Sequence, residues 1–109
     1  MTDPVGATFA ALADPSRRRM LSLMGGSGSG ATATELAREL PISRQAVAKH
    51  LSQLASAGLV APTRQGRETR YRITPEPLED AVAWIVQAGG EWDDRLARLS
   101  AYVRDDRVA

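Results

Sequence analysis

The sequence predicts a mainly helical fold of about five helices with one small β-hairpin, and three observations predict it. Two short helical segments flank the turn Leu40-Pro41-Ile42. A stretch in which apolar and basic residues alternate follows the second segment, and a long heptad pattern ends the chain. Helix, short turn, helix and two-stranded hairpin, in that order, are typical of a winged helix-turn-helix domain.

Length and composition are those of one ordinary globular domain. With 109 residues, of which 43% are hydrophobic and 25% charged, we expect residues 1–109 to form a single domain. No apolar run approaches the roughly 18 residues of a membrane span, and the N-terminus has no secretory pattern. We therefore expect a cytoplasmic protein that has no membrane partner.

The residue inventory leaves little from which to build a catalytic or metal site. The chain has no cysteine and one histidine, His50. This excludes disulfides and cysteine-ligated metals, and one imidazole without thiolates makes a poor zinc site. We expect no metal and no cofactor, and we expect a protein that is not an enzyme, because no clustered acid and base are available.

Charge is distributed unevenly along the chain. The segment 38–72 holds seven basic residues and two acidic ones, whereas 76–109 holds eight acidic residues and four arginines. The middle of the chain therefore favours an anionic partner, although scattered arginines are also ordinary surface residues.

Several helix starts can be recognised from capping residues. Asp14-Pro15 predicts a helix that extends to about Met24. Aspartate accepts hydrogen bonds from the free backbone N–H groups of the first turn, and proline has no N–H at a position where that group would lack a partner. Upstream, Val5, Phe9 and Leu12 recur at helical spacing. Thr32-Ala33-Thr34-Glu35 matches a capping box and predicts a helix ending near Leu40. The intervening Gly25–Gly30 is expected to be a flexible loop.

The second helix of the pair is predicted to begin after Ser43 and to end before Gly58. Val47, Leu51 and Leu54 share one stripe, which must face the core. The outward face then carries Gln45, Lys49 and Ser52, with Ala48 near its edge and Ser43 and Arg44 at the helix start. Glutamine can pair bidentately with adenine, and arginine or lysine can donate to guanine. The serine hydroxyl could reach a phosphate or a base.

A hairpin is predicted after Gly58. Leu59-Val60-Ala61 forms one strand, and Thr69, Tyr71 and Ile73 alternate with Arg70 and Arg72 in the other. Gln65-Gly66-Arg67 makes the turn, and Pro62 keeps the first strand short or at a sheet edge. Arg64, Arg67 and Arg70 flank this turn and could enter a minor groove or neutralise phosphates.

The chain is predicted to end in a long helix over about 76–103. Its apolar or small residues follow a heptad pattern: Leu78, Val82, Ile85, Gly89, Trp92, Leu96, Leu99 and Val103. This seam either covers the domain core or pairs with a second copy. A helix of about 26 residues spans about 39 Å, more than so small a domain can cover, which favours a partner. Gly89-Gly90 marks a kink or a close backbone approach.

The run from Ser43 to Val60, SRQAVAKHLSQLASAGLV, resembles the signature of the ArsR-type winged helix-turn-helix repressors. Ala13–Arg17 is similar to the start of that family's second helix, Glu35-Leu36-Ala37 to its third helix, and Gly66 to Tyr71 to its wing. The cysteine pair of the metal-sensing members is absent, so the chain resembles the metal-independent branch.

The resemblance implies a homodimer bound to double-stranded DNA across an inverted repeat, acting as a repressor and often repressing its own operon. It assigns base reading to Ser43, Arg44, Gln45, Ala48 and Lys49, and backbone contacts to His50, Arg64, Arg67 and Arg70. Pairing through the first and last helices assigns the dimer interface to Val5, Phe9, Val82, Ile85, Gly89, Trp92, Leu96 and Leu99.

Two other functions stay open. A winged domain can serve protein–protein contact instead of DNA binding, and loss of salt-dependent binding to every duplex would favour that alternative. A small apolar molecule between Trp84, Trp92 and the first helix could gate a regulator at the dimer interface, although tryptophans are more often core residues.

Overall fold

The structure is a computed structural model that describes residues 3–26, 28–89 and 93–108. Six helices are described, against about five expected: α1 (Pro4–Leu12), α2 (Pro15–Gly25), α3 (Ala33–Glu39), α4 (Arg44–Ser56), α5 (Glu76–Ala88) and α6 (Asp93–Val108). The strands are β1 (Ala31–Thr32), β2 (Val60–Gln65) and β3 (Glu68–Ile73). The order of α3, α4, β2 and β3 confirms the predicted winged helix-turn-helix fold.

The predicted caps fix the helix starts. The Asp14 side chain accepts from the backbone N–H groups of Ser16 and Arg17 at 2.8 and 3.1 Å. Thr32 and Glu35 form the reciprocal capping box at the start of α3, and Ser43 Oγ accepts from the N–H of Ala46 at 3.1 Å. Because these bonds are local, capping residues alone sufficed to place the starts of α2, α3 and α4.

The core lies between α2, α3, α4 and the base of the hairpin. Its most shielded side chains, each with 0% exposure, are Met20, Val47, Leu51, Leu54 and Leu59. Burying a side chain of this size contributes about 1.5–3 kcal/mol. The stripe of α4 therefore faces the core, as predicted, and its opposite face is directed outward.

The wing is part of a three-stranded antiparallel sheet in the order β1-β3-β2. Strand β1 was not predicted; its Ala31 pairs with Tyr71 and its Thr32 with Arg70. Pro62 lies on the edge strand β2, as its missing N–H requires. Gly30 is necessary before β1, because it has φ +80° and a Cβ there would lie 2.5 Å from the carbonyl oxygen of Tyr71.

The expectation of a single long C-terminal helix over 76–103 is wrong. The structure divides this segment into α5, which ends at the C-cap Gly89, and α6. Helix α6 folds back on α5, so that Leu78 and Val82 line one crevice with Ser100 and Val103. Three residues of the heptad pattern, Leu78, Val82 and Val103, therefore line a crevice within the chain, while Leu99 is 49% exposed. Within the described residues, no helix is long and apolar enough to cross a membrane.

Candidate nucleic-acid interface

The outward face of α4 presents polar side chains to solvent. Ser43, Arg44, Gln45, Ala48 and Lys49 are all exposed, whereas Val47 and Leu51 beneath them have 0% exposure. The residue types on this face can donate and accept hydrogen bonds at the edges of bases. The structure therefore brings the predicted reading residues together on one accessible surface.

Two of these residues also stabilise the helix-turn-helix itself. Ser43 Oγ caps α4, so one of its two lone pairs is used at the helix start. Arg44 donates its Nε–H to Thr34 Oγ1 at 3.0 Å, which joins the start of α4 to α3. This bond uses one of the five N–H groups of the guanidinium.

The wing tip carries exposed arginines around a tight turn. Gly66 has φ +62°, a conformation that favours glycine, and it reverses the chain between β2 and β3. Arg64 donates its Nε–H to the Gly66 carbonyl oxygen at 3.0 Å, while Arg67 next to the glycine is exposed. Both cations therefore lie at the far end of the hairpin.

Arg70 differs from the expectation that it faces a duplex. Its side chain is only 17% exposed and forms ion pairs with Glu35 at 3.0 Å and Glu68 at 3.4 Å. It also donates to the carbonyl oxygens of Ser29 and Gly30 at 3.3 and 3.4 Å. The guanidinium thus ties strand β3 to α3 and to the loop before β1.

Glu35 is held in its ionised form by this arrangement. The backbone N–H of Thr32 donates to its Oε1 at 3.0 Å, and this bond, with the Arg70 charge as a further cause, lowers the pKa of Glu35 below its usual value. A carboxylate that accepts such donors is stabilised relative to the acid.

A groove runs between the helix-turn-helix and the wing. Its lining comes from α3, α4, the wing turn and β3, and it includes residues that sequence reasoning assigned and others that it missed: Thr34, Glu35, Arg38, Arg44, Ala48, Arg67, Glu68, Thr69 and Tyr71. The two glutamates among these lining residues, Glu35 and Glu68, both form ion pairs with Arg70. Arg38 was missed as a site residue, although its place in the basic segment 38–72 was the available signal.

His50 of α4 is not among the residues that line this groove. Its ring is half-buried, and Nδ1 is a buried atom without a hydrogen-bond partner among the described residues. The pKa of Asp14, at the start of α2, is lowered chiefly by the backbone N–H of Arg17, and His50 is a smaller cause. The described residues contain no cluster of histidine and acidic side chains that would hold a metal ion.

The predicted dimer residues divide between two surfaces. Phe9 of α1 and Trp84 of α5 meet edge to face with ring centroids 5.7 Å apart, and they are 36% and 52% exposed. Val5, Val82, Ile85 and Gly89 are half-buried, and Leu99 of α6 is 49% exposed. Trp92 lies outside the described residues, and so does the side chain of Leu96.

Comparisons with known proteins agree with this geometry. Residues 12–63 match a family model described as a helix-turn-helix domain. The transcriptional repressor SdpR of Bacillus subtilis is 30% identical over 88 residues, which are 81% of this chain and 96% of SdpR.

Two solved structures are similar in fold over most of the chain. The structure of an ArsR-like transcriptional regulator from Rhodococcus sp. RHA1 has a TM-score of 0.75 and 38% identity, and the match covers 94% of this chain and 92% of that one. A homodimeric winged helix-turn-helix DNA-binding domain from Mycobacterium bovis has a TM-score of 0.61 and 25% identity, covering 96% and 79%.

Proposed function

Because this chain belongs to the ArsR family of winged helix-turn-helix transcriptional regulators, we propose that it represses transcription as a homodimer on an inverted-repeat operator. It is a DNA-binding transcriptional regulator. We also propose the direction of regulation, the dimeric assembly and the residues that contact DNA. We further propose that residues 1–109 form one domain that binds DNA in the cytoplasm.

One observation carries the proposal: the exposed face of α4 and the arginine-tipped wing border the same groove. A helix of this kind fits the major groove, where each base pair has its own pattern of donors and acceptors. The hairpin beside it can then meet the adjacent minor groove or the phosphates. The repressor function named for the similar SdpR supports repression rather than activation.

We assign base reading to Gln45, Arg44 and Lys49. All three are exposed on one side of α4. Glutamine offers a donor and an acceptor that match adenine, and the two cations match the acceptors of guanine. Ser43 and Ala48 border these side chains and limit how closely the helix approaches the base pairs.

We assign backbone contacts to Arg38, Arg64 and Arg67. Arg38 and Arg67 line the groove, and Arg64 is fixed at the wing tip by its bond to Gly66. Contacts of this type release counterions and carry no sequence information. His50 is half-buried, and we propose that it lies beside the DNA backbone. Arg70 instead holds the wing in place through its ion pair with Glu35.

The dimer is proposed to form through α1 and α5. Phe9 and Trp84 are large aromatic side chains that remain 36% and 52% exposed and already contact each other. Exposed aromatic clusters of this kind are typical of interfaces. The similar Mycobacterium bovis domain is described as homodimeric, which supports this assembly.

We further propose that the regulator works without a thiolate metal site and represses its own operon. The absence of cysteine removes the ligands on which such a site depends.

Fluorescence anisotropy with a labelled duplex tests the proposed function. The duplex carries the region upstream of the protein's own gene, and a scrambled duplex of equal length is the control. We expect two protein chains per duplex, tighter binding to the upstream region by about 10³-fold or more, and affinity that falls with salt. Equal affinity for both duplexes would contradict a sequence-specific repressor. Binding to neither duplex would favour a protein–protein contact module.

A further inference from the structure

Arg17 connects three helices through one side chain. It lies in the first turn of α2, where its Nε–H donates to the carbonyl oxygen of Ala11 at 2.8 Å and Nη2 donates to that of Ala10 at 3.3 Å. Its Nη1 donates to Oε1 of Gln53 on α4. The guanidinium thus bonds to the C-terminal end of α1 and to the recognition helix at once.

Close packing does not hold α1 and α4 together at this point. A crevice of 320 Å³ separates them, lined on the α1 side by Ala7, Ala10 and Ala11 and on the α4 side by Gln53, Ser56 and Ala57. Small side chains on both sides leave the crevice open to solvent. The contacts of Arg17, which lies at its edge, therefore bridge a gap that apolar side chains do not fill.

The chemistry of arginine suits this position. Its planar guanidinium presents donors in a fixed fork, so that several bonds in one plane define an orientation as well as a distance. Its positive charge also meets the negative end of the α1 dipole. The base of the side chain is held as well, because the Arg17 backbone N–H donates to Oδ1 of the N-cap Asp14 at 3.1 Å.

We infer that Arg17 is a positioning residue that sets the orientation of the recognition helix α4 relative to α1, and thereby the distance between the two recognition helices of the dimer. This inference rests on the proposed function, in which α1 belongs to the dimer interface. Gln53 is the acceptor through which α4 is held. A dimer whose two reading helices are fixed in this way accepts one spacing between half-sites.

The expected consequence concerns spacing rather than affinity alone. Dimeric helix-turn-helix proteins contact half-sites about 34–36 Å apart, one turn of the duplex. Removing or adding one base pair between the half-sites changes both their separation and their rotation about the axis. A rigid dimer loses affinity for such duplexes, whereas a dimer with loosely held reading helices adapts to them.

Arg18 provides a matched control. It precedes Arg19 on the same helix turn and donates its Nη1–H to the carbonyl oxygen of Leu12 at 2.6 Å. It therefore contacts the end of α1 as Arg17 does, but its described bond does not reach α4. Arg18→Ala removes a cation and a cap without cutting the connection to Gln53.

The test measures the binding of full-length dimers to three duplexes whose half-site spacing is native, one base pair shorter or one base pair longer. We expect the wild type and Arg18→Ala to prefer the native spacing by about tenfold or more. We expect Arg17→Ala and Gln53→Leu to reduce that preference to about threefold or less, with an unchanged salt slope, because neither residue contacts phosphate in this account.

The outcomes separate this inference from the proposed function. A wild type without any spacing preference would contradict the inverted-repeat dimer, and the inference would fail with it. A wild type with the preference, together with an equal preference in both Arg17→Ala and Gln53→Leu, would overturn the inference alone. Gln53 is exposed, so Gln53→Leu decides the question if Arg17→Ala does not fold.

Discussion

Nη2 of Arg70 lies 3.0 Å from Oε1 of Glu35, and this ion pair joins wing strand β3 to the first helix of the helix-turn-helix. The same oxygen accepts the backbone N–H of Thr32 at 3.0 Å. The wing is thus attached to the cap of α3, so its direction relative to α4 depends on a polar contact and on the short pairing of β1 with β3.

Replacing Arg70 by glutamine is expected to weaken binding to specific and random duplexes alike, by roughly three- to tenfold. The reason is loss of wing orientation rather than loss of a phosphate contact. Anisotropy titrations over a salt series distinguish the two, since the slope of log affinity against log salt should remain that of the wild type. A slope lower by one unit would instead make Arg70 a phosphate ligand.

Arg67→Ala is expected to change the salt dependence of binding, which the Arg70 variant should leave unchanged. Arg67 is exposed beside the wing turn, where a guanidinium can release one counterion on contact with a phosphate. We expect weaker binding to all duplexes and a salt slope reduced by about one unit. The same salt series measures the slope of log affinity against log salt for this variant. An unchanged slope would show that Arg67 does not contact the DNA backbone.

The Glu35 carboxylate is expected to make stability fall in acid. Its pKa in the folded protein is lowered by the Thr32 N–H first and by Arg70 as a further cause, from an ordinary value of 4.5. A lowered pKa contributes stability that is fully present above the unfolded value and is lost as pH falls through the folded one. Urea unfolding from about pH 6 down to about pH 3 measures this loss.

In the same series, Glu35→Gln should be less stable than the wild type at neutral pH, and the difference should shrink as the pH falls below 4.5. A difference that stays constant over the whole range would show that the ionised form of Glu35 is not the stabilising one.

Gln45→Ala is expected to relax discrimination at one base pair of each half-site by ~1–3 kcal/mol. The glutamine is exposed at the first turn of α4, where its amide can pair with a base edge. Binding to a set of duplexes with single substitutions measures the effect at each position. Equal losses on the specific and the random duplex would remove Gln45 from the reading residues.

Trp84→Ser is expected to dissociate the dimer. Trp84 is 52% exposed and contacts Phe9 edge to face. Its replacement therefore removes interface area with little loss of stability in the folded monomer. Sedimentation should report a lower mass, while Tyr102→Ser, at a 67% exposed position on α6, serves as the control. Dissociation by the tyrosine variant alone would move the interface to α6.

The parts of the fold that depend on near neighbours in sequence were predictable. Asp14, Thr32 and Ser43 cap helices through bonds that span two or three residues, and the periodicity of α4 identified its buried face. The exposed polar face of α4 followed from that periodicity, because the buried stripe leaves only one direction for the polar residues.

The parts that depend on distant contacts were not predictable. Strand β1 has two residues and exists through its pairing with β3, about forty positions later. The alternation of the hairpin indicated an exposed Arg70, whereas an acceptor 35 positions away in sequence turns its side chain inward. The heptad pattern continued through Gly89, but a pattern of apolar residues cannot show that a helix ends and folds back on itself.

Methylation footprinting of the operator decides whether α4 and the wing bind adjacent grooves, because dimethyl sulfate modifies guanine N7 in the major groove and adenine N3 in the minor groove. We expect protection of N7 in two major-groove segments about one helical turn apart, where α4 would bind, and of N3 in the minor groove beside each, where the wing would bind. A bound complex in which guanine N7 stays fully reactive would contradict this expectation.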